Sequence, residues 1–522
     1  MMPADVERIR MENMTRRELL ALAVGGGLGA LWSPGSSVAW TQAADTWKRG
    51  YDAARTSNPY LLGFQNADRD RYASDLLPVY GRWPRDLAGT FYRNGPAGHE
   101  VGGRRYHHWF DGDGLVQAFH ISADGIRHLG RFVETAKRRA ERDADRMLWP
   151  AFGTSLDGGL PVSHPDTINT ANISILHHAG ELLALWEAGS PHRLDPQSLE
   201  TLGIKTWRSD LRGAPFTAHP KVEPDGTVWA FGYALDRGLL VLYRIDAGGK
   251  VEKADTVGIS PLGMIHDFAV TVNSLVFVIP PLVFDPERVA PGVSFLDTQV
   301  WRPELGTRVL AVDKDDFSCR RWWQLPPGFA YHLGNAWEDG GNVHFDYCVA
   351  PDATELTHTF REVMRGVWSP PTEPTRFAQV TLGTGDAVEQ HVFDRQAEFP
   401  RVAPGVVAAR HRYVYSLAGP LARRSDIASP GLDRVVRWDT ETGDTDAYVY
   451  DADFIPEEHI FVPRPGSSTE AEGWVIGTAL DLDRGITQLA AFDAIRIREG
   501  PVAVARLPYA LPLGFHGIFV PA

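Results

Sequence analysis

Seven strand–turn–strand units run through the chain and limit its fold more than any other feature. In each unit a short apolar strand leads into a turn with aspartate and often glycine, and a second strand follows. The units are Val116–Gly130, Pro191–Gly203, Val241–Val251, Val309–Trp322, Phe377–Val392, Val435–Tyr450 and Leu489–Leu507. Repeated two-strand units are typical of propeller blades, because radial closure leaves few unpaired sheet edges. We therefore predict an all-β fold, a seven-bladed β-propeller; the alternative is an irregular pair of β-sandwiches, which needs no regular count of seven.

Two segments outside these units have helical composition. They are Thr135–Met147, which is polar and charged, and Glu355–Val367. We predict that both are excursions between blades and that they cover one face of the propeller.

Composition excludes several classes of function. The chain has 522 residues, with 52 lysines and arginines against 66 aspartates and glutamates, and this net charge of −14 argues against nucleic acid as a partner. Its two cysteines, Cys319 and Cys348, are too few for a disulfide scaffold, a cysteine-based zinc site or an iron–sulfur cluster. The sequence leaves open whether they form one disulfide.

The N-terminus has the pattern of an export signal. Twin arginines, Arg16 and Arg17, precede the apolar run Leu19–Leu31, and Ser37–Ala39 offers small residues for cleavage. The apolar run is short for a transmembrane helix. We predict a twin-arginine type signal in residues 1–45, export to the bacterial periplasm, and a single propeller domain in residues 46–522. The alternative for the N-terminus is a frayed surface helix.

Four histidines lie in segments punctuated by glycine or proline beside predicted strands, each in a different part of the chain. They are His219, His266, His332 and His516. The innermost strands of a propeller converge on its axis, so residues from different blades meet there. Any one of these histidines alone would be read as an ordinary polar residue, but together they predict one metal site. Imidazole suits iron, copper, zinc and nickel alike, and two open positions on an octahedral ion favour oxygen chemistry.

Nine motifs, in this order, resemble those of a known family. They are FYRNGP (91–96), YHHWFDGDGLV (106–116), LLALWEAGSPHRLDP (182–196), FTAHPKV (216–222), MIHDFAVT (264–271), YHLGNAWE (331–338), EFPRV (398–402), FVPRPGS (461–467) and PLGFHGIF (512–519). Through them the chain from about residue 55 onward resembles the carotenoid cleavage oxygenase family. The resemblance implies a seven-bladed propeller with a dome of helices and loops over the active-site face. It also implies ferrous iron, Fe(2+), bound by His219, His266, His332 and His516.

The same resemblance implies three glutamates behind the iron ligands. They match Glu187, Glu398 and Glu458 in this sequence. A ligating imidazole must present a lone pair on one nitrogen, so the other carries a proton and needs an acceptor. For the last of the three, the neighbouring Glu457 remains an alternative partner.

The substrate is predicted from groups that the chain lacks. Relatives that cleave phenolic stilbenes usually have a lysine directly before the glutamate equivalent to Glu187, and a tyrosine that binds the phenol with it. Here Trp186 occupies the lysine position, and Ala151–Gly153, where the tyrosine would fall, contains none. Such a site suits an apolar polyene better than a phenol. Trp186 and Ile173 are therefore expected to contact substrate, and Ile173 departs from the threonine that some relatives have.

The function implied is a non-haem Fe(II) dioxygenase that cleaves a conjugated C=C bond of an apocarotenoid with O₂ into two carbonyl products. No catalytic residue beyond the metal centre is required. The alternatives are cleavage of a stilbene or phenylpropanoid double bond, and a propeller that only binds. The last would have no use for four axial histidines and three carboxylates.

Substrate entry is expected to involve peripheral contact with a membrane, because a polyene barely dissolves in water. The candidate segment is Pro280–Phe284, PPLVF. The alternative is that this segment is a buried strand end.

Overall fold

The structure is a computed structural model, and it describes residues 45–419, 432–467 and 469–522. Of the predicted signal, residues 1–44 lie outside these ranges, so the signal and export remain predictions. Among the described residues no helix combines the length and the apolar character needed to cross a membrane.

Four sheets follow the order of the chain and contain four or more strands each. The first contains Arg71–Ser74, Gly125–Phe132, Asp113–Ser122, Gly89–Arg93 and Gly517–Pro521 in spatial order, with Pro96–Gly98 paired to Asp113–Ser122. The second contains Thr201–Ile204, His192–Leu194, Glu181–Leu185 and Ser174–His178. The third contains Lys221–Val222, Val228–Ala234, Leu239–Ile245 and Val251–Gly258. The fourth contains Phe268–Val270, Ser274–Ile279, Thr307–Asp313 and Arg320–Leu325.

Two further sheets complete the architecture, with two short hairpins beside them. One has seven strands in sequential order: Phe329–Asp339, Asn342–Ala350, Arg376–Leu382, Val388–Arg401, Tyr413–Gly419, Arg434–Asp439 and Thr445–Val449. The other has the order Val79–Gly81, Ala503–Arg506, Ile486–Asp493, Gly473–Asp481 and Phe454–Pro463. The hairpins are Leu282–Phe284 with Gln299–Trp301, and Glu100–Val101 with Arg104–Arg105.

The seven-stranded sheet contains two blades that share one long strand. The first part of Val388–Arg401 pairs with Arg376–Leu382, and its last part pairs with Tyr413–Gly419. We therefore number seven blades in chain order: 71–132 with 517–521, 174–204, 221–258, 268–325, 329–396, 396–449, and 454–506 with 79–81.

Seven apolar clusters join these blades in a ring. Each cluster contains buried side chains from two successive blades, and the cluster around Phe119 and Ile476 joins the seventh to the first. Because both faces of a blade are covered, its middle strands are apolar without alternation: all residues of Val228–Ala234 and of Ser274–Ile279 are buried. The prediction of an all-β propeller is confirmed.

All seven predicted strand–turn–strand units are antiparallel pairs in the structure, and in five blades the pair forms the two outermost strands. In the first and seventh blades one more strand pairs outside it, Arg71–Ser74 and Val79–Gly81 respectively. The strands at the opposite edge of each blade were not predicted as part of this pattern. These inner strands are short or irregular, and they carry the candidate site.

Both predicted helical segments contain helix. One forms the α-helix Ala136–Ala144. The other forms a continuous series of a π-helix, an α-helical turn and a 3₁₀ turn: Glu355–Thr359, Phe360–Glu362 and Val363–Arg365. Only the second contributes to the cavity beside the candidate site, through Glu355 and Phe360.

The remaining helical segments are an additional α-helix and short 3₁₀ turns. The α-helix is Thr46–Ala54. The turns are Pro59–Phe64, Trp109–Asp111, Pro165–Thr167, Ser209–Leu211, Leu235–Arg237, Pro286–Arg288, Leu296–Thr298, Pro303–Leu305, Pro404–Val406 and Ile497–Glu499. The α-helix packs against the 3₁₀ turn Val363–Arg365 so closely that a side chain at Gly50 would meet the carbonyl oxygen of Arg365.

The segment chosen for membrane contact is a buried strand end. Leu282 and Val283 are 1% and 6% exposed in the hairpin with Gln299–Trp301, because they pack into the protein. Pro280–Phe284 is therefore not the apolar surface that membrane contact requires. The two cysteines are both free thiols, Cys319 exposed and Cys348 buried.

Candidate metal centre

The four predicted histidines meet at the inner edge of the propeller. Each lies on, or directly before, a strand at the edge of its sheet: Lys221–Val222, Phe268–Val270, Phe329–Asp339 and Gly517–Pro521. One ring nitrogen from each of His219, His266, His332 and His516 lies within 4.8 Å of the others, and all four residues are buried. Four blades thus contribute one imidazole each to a single point.

The inner strands are irregular where they contribute to this centre. The ladder register shifts between Ala330 and Leu333, around His332. It shifts again between Glu398 and Arg401, and between Pro456 and His459. A bulge turns a side chain away from the direction that regular pleating would give it. These shifts allow inner strands to direct imidazole and carboxylate groups inward.

Three of the histidines are paired with the three predicted glutamates. Nδ1 of His266 lies 2.6 Å from Glu187 Oε2, and Nδ1 of His332 lies 2.5 Å from Glu398 Oε2. Nδ1 of His516 lies 2.9 Å from Glu458 Oε1. An ionised carboxylate accepts and does not donate, so each Nδ1 carries the proton when its glutamate is ionised.

The protons on Nδ1 leave the Nε2 atoms of His266, His332 and His516 with bare lone pairs. Nε2 of His219 lies 3.0 Å from Nε2 of His266, and Nε2 of His332 lies 3.1 Å from Nε2 of His516. The two acceptor nitrogens of His332 and His516 repel each other at this distance, and a cation between them removes the repulsion. The donor set therefore fits a metal ion bound by four Nε2 atoms.

The structure pairs His516 with Glu458 and gives Glu457 another partner. Glu458 also accepts hydrogen bonds from the Arg401 side chain at 2.8 Å and from the backbone N–H of Gly517 at 2.8 Å. Glu457 instead forms a buried ion pair with Arg93, 2.9 Å. The Glu457 carboxylate also accepts from the backbone N–H of Gly514 at 2.6 Å, so its oxygens are engaged away from the histidine.

One further side chain holds Glu187 in place. The Tyr233 hydroxyl donates a hydrogen bond to Glu187 Oε1, while Oε2 faces His266. Tyr233 lies on the middle strand Val228–Ala234 of the third blade and is buried. Sequence analysis did not single out Tyr233, because an aromatic residue in an apolar strand gives no signal of its own.

Burial sets the charge state of most of the imidazoles. It lowers the pKa of His219 and of His332 well below the ordinary value, and the neighbouring imidazoles add to the effect. Burial likewise lowers the pKa of His516 to about 3 against the opposing effect of Glu458. For His266 the charge and hydrogen bond of Glu187 outweigh burial and raise the pKa. Neutral imidazole is the form that binds a metal.

The pKa values of two of the glutamates are shifted in opposite directions. Burial raises the pKa of Glu398 to about 8. Burial also opposes ionisation of Glu458, but the Arg401 guanidinium and His516 outweigh it and hold the pKa of this carboxyl below its usual range.

Two clefts open beside the histidines, of about 1090 Å³ and about 1200 Å³, and both are lined mostly by apolar side chains. His266, His332 and His516 line the first, and Glu187 lines the second. Ile173 lines both, as does Phe110, whereas Trp186 lines only the second. Both predicted substrate contacts thus lie on cleft walls near the histidines.

The first cleft also contains polar side chains that sequence analysis missed. They are Tyr331, Glu355, Thr375 and Gln396. Tyr331 immediately precedes His332, so its position in the motif YHLGNAWE was the only available signal. Glu355 lies in a helical segment that the sequence predicted only as a cover.

Comparisons with known proteins agree with this geometry. The family model for retinal pigment epithelial membrane protein matches residues 66–521. The chain is 30% identical to isoeugenol monooxygenase of Pseudomonas nitroreducens, over 86% of this chain and 96% of that protein. It is also 30% identical to apocarotenoid-15,15'-oxygenase of Synechocystis, over 88% of this chain and 95% of that protein. A crystal structure of cobalt-substituted Synechocystis apocarotenoid oxygenase superposes with a TM-score of 0.78 at 28% identity, over 89% of this chain and 98% of that one. The chain belongs to the retinal pigment epithelial membrane protein family, which includes the carotenoid cleavage oxygenases.

Proposed function

We propose that this protein is an iron-dependent dioxygenase that cleaves a conjugated C=C bond of an apocarotenoid. In the balanced reaction one alkene and one O₂ give two carbonyl products, with one oxygen atom in each. The alkene is oxidised, O₂ is reduced, and no further reductant is needed.

The observation that carries the proposal is the convergence of four imidazole Nε2 atoms beside an apolar cleft. A site that only stabilised the fold would be closed by its ligands and would need no cleft. His219, His266, His332 and His516 would hold the metal, and the cleft beside them would give O₂ and substrate access to it.

Iron is the metal proposed, with His219, His266, His332 and His516 as its ligands. Bound Fe(II) would supply the one-electron chemistry that reaction of a closed-shell alkene with O₂ requires. The three glutamates orient three of the imidazoles and place negative charge behind them. The relative described as cobalt-substituted supports a divalent metal in this fold.

The protein's own contribution is positioning and exclusion of water. The two apolar clefts meet at Phe110 and Ile173, beside the histidines. We propose that the two halves of an extended substrate occupy one cleft each, which holds the central double bond over the metal. Trp186 then contacts one half of the substrate. Effective molarity from such positioning accounts for large rate accelerations without acid–base groups.

A second candidate is cleavage of a phenylpropanoid or stilbene double bond. It is favoured by the relative named isoeugenol monooxygenase, which is as similar to this chain as the apocarotenoid oxygenase is. The polar side chains of the first cleft also make that cleft less uniformly apolar than the sequence predicts.

The test is aerobic turnover by protein loaded with Fe(II), using an apocarotenal, 4-hydroxystilbene and isoeugenol as separate substrates. We expect two carbonyl products from the apocarotenal, and isotopically labelled dioxygen should label both when they are trapped by reduction. The His266→Ala protein is the control for iron that reacts in solution. Cleavage of the phenolic substrates alone would favour the second candidate. No cleavage of any substrate by metal-loaded protein would refute the proposal.

A further inference from the structure

Tyr331 carries a hydroxyl that the folded protein leaves without a partner. The residue is buried in strand Phe329–Asp339, and its hydroxyl has no hydrogen-bond partner within the described part of the chain. Buried polar groups are almost always hydrogen-bonded, because leaving one unpaired costs free energy. Tyr331 also lines the first cleft. An unpaired donor on the wall of a substrate cleft indicates that its partner is the ligand.

Glu355 lines the same cleft and is also weakly bonded. The structure gives its carboxyl one hydrogen bond, accepted from the Thr375 hydroxyl at a long 3.5 Å. Tyr331 packs in one apolar cluster with Leu356, the residue that follows Glu355, so the two polar residues line the same part of the protein. Burial, and then the charge of Glu398, raise the pKa of Glu355 to about 7. Glu355 begins a π-helix, an uncommon element that often occurs at functional sites.

Tyr331 lies close to the metal centre. The ring centroid of Tyr331 is 5.9 Å from that of His266 and 6.2 Å from that of His332. The other neighbours of the Tyr331 ring are aromatic, Phe329 at 4.8 Å and Phe360 at 6.2 Å. The Tyr331 ring therefore packs against the metal centre, and the residue lines the cleft that opens beside it.

We propose that Tyr331 and Glu355 bind a hydroxyl group of the substrate and so select hydroxylated conjugated alkenes over their deoxy analogues. This inference rests on the proposed function for the reaction and adds the substrate feature that the cleft recognises. A hydroxyl satisfies both residues, since it accepts from the Tyr331 O–H and donates to the Glu355 carboxylate. When Glu355 is ionised, a carbonyl has no hydrogen to donate to it, and a carboxylate would be repelled by it.

The same hydroxyl chemistry occurs in two kinds of substrate, and paired compounds distinguish them. One pair is 4-hydroxystilbene and stilbene; the other is a ring-hydroxylated apocarotenal and its deoxy counterpart. For each pair the quantity measured is the ratio of kcat/KM for the hydroxylated compound to kcat/KM for the deoxy compound. We expect a ratio of about 10 or more for at least one pair in the unaltered protein.

Tyr331→Phe and Glu355→Gln should each lower that ratio about tenfold. Tyr347→Phe is the matched control, since it removes a buried hydroxyl from the adjacent strand, where that hydroxyl accepts a hydrogen bond from Gln390 at 2.7 Å. Its ratio should equal that of the unaltered protein. Because the Tyr331 hydroxyl has no partner to lose, the Tyr331→Phe protein should melt no lower than the unaltered protein.

Binding measured without turnover separates this inference from the proposed function. Trp109 and Trp368 line the cleft, so quenching of tryptophan fluorescence reports Kd for each compound. If no compound is cleaved but the hydroxylated one binds about tenfold tighter and Tyr331→Phe removes the difference, the function is wrong and the hydroxyl site stands. If both members of each pair are cleaved and bound equally, the hydroxyl site is wrong and the function stands. A ratio that survives Tyr331→Phe and Glu355→Gln also refutes the assignment of these residues.

Discussion

Three of the four clustered histidines are paired with carboxylates, and the fourth is not. Glu187, Glu398 and Glu458 contact three imidazoles, whereas no carboxylate is paired with His219 among the residues that the structure describes. His219 is instead fixed through its backbone, whose N–H donates to the Thr217 hydroxyl at 2.9 Å. The backbone N–H of Thr217 donates in turn to the carbonyl oxygen of Phe231, 2.6 Å away on the third blade.

The difference shows two ways to orient a ligand. Paired histidines are held at the ring itself, so the carboxylate fixes the tautomer and adds negative charge. His219 is held at its backbone by a short turn, and no carboxylate of the described residues fixes its tautomer. Three carboxylates already exceed the charge of a divalent ion, so a fourth would add repulsion among buried anions without a matching gain.

Removal of an imidazole should have the largest effect and should erase the difference between the two kinds of histidine. His219→Ala and His266→Ala should each lose bound iron and cleavage activity, because four ligands from four blades are needed to fill the site. Iron content of the purified proteins measures this directly, and circular dichroism checks the fold. Full iron occupancy in His219→Ala would show that the unpaired histidine is not a ligand.

Neutralising a carboxylate that is paired with a histidine should have the next largest effect on iron binding. Glu187→Gln should lower iron affinity about 10–100-fold, because an amide is a weaker acceptor for the His266 N–H and carries no charge. Competition with a chelator measures this affinity. Glu181→Gln is the control, since this residue of the second blade forms its ion pair with Lys205 away from the histidines. Equal affinities in the two variants would contradict the role given to Glu187.

Loss of the Tyr233 hydroxyl should be milder. Tyr233→Phe leaves Glu187 in place but removes the hydrogen bond to its Oε1, so iron affinity should fall about fivefold, the equivalent of about 1 kcal/mol. The control is Tyr243→Phe, a change on the strand next to that of Tyr233. It removes a buried hydroxyl that donates a hydrogen bond to the Pro215 carbonyl oxygen at 2.7 Å. That variant should lose thermal stability but keep its iron affinity. If Tyr233→Phe behaves the same way, Tyr233 is purely structural.

A change of Thr217, which supports the backbone of His219, should have the smallest effect on iron affinity. Thr217→Val removes the acceptor for the His219 backbone N–H, and we expect iron affinity to fall about threefold, as for the loss of part of one hydrogen bond. Thr217→Ser keeps the hydroxyl and should restore the affinity. A fall as large as that of Glu187→Gln would mean that backbone support matters as much as a carboxylate, and the distinction between the two kinds of histidine would then lose its meaning.

The sequence predicted the outer strands of the blades better than the inner ones. Outer units such as Val241–Val251 are regular hairpins whose turns contain aspartate and glycine, a local signal that is readable without the rest of the protein. Inner strands such as Phe268–Val270 are short and have bulged neighbours, because they are shaped by the site that they carry. Their positions could be inferred only from the histidines.

The sequence likewise predicted only those site residues that carry a signal of their own. Histidines in glycine- and proline-rich segments are uncommon enough to be noticed, and the family motifs supplied the glutamates. Tyr233, Tyr331 and Glu355 were missed because tyrosine in a strand and glutamate in a helix are ordinary in any sequence. What sets these residues apart is the group opposite each one: Glu187 for Tyr233, and an apolar cleft for the other two. That information exists only after folding.

The strand Gly517–Pro521 has a consequence for the order in which the protein assembles. It follows His516 directly and pairs with Gly89–Arg93, a strand from the other end of the described chain. Pairings between distant segments form late in folding, because chain entropy must be lost before their contacts compensate for it. His516 joins the other imidazoles only when this pairing forms. Capture of the metal by all four ligands should therefore be among the last events of folding, and its rate during refolding should report when the ring closes.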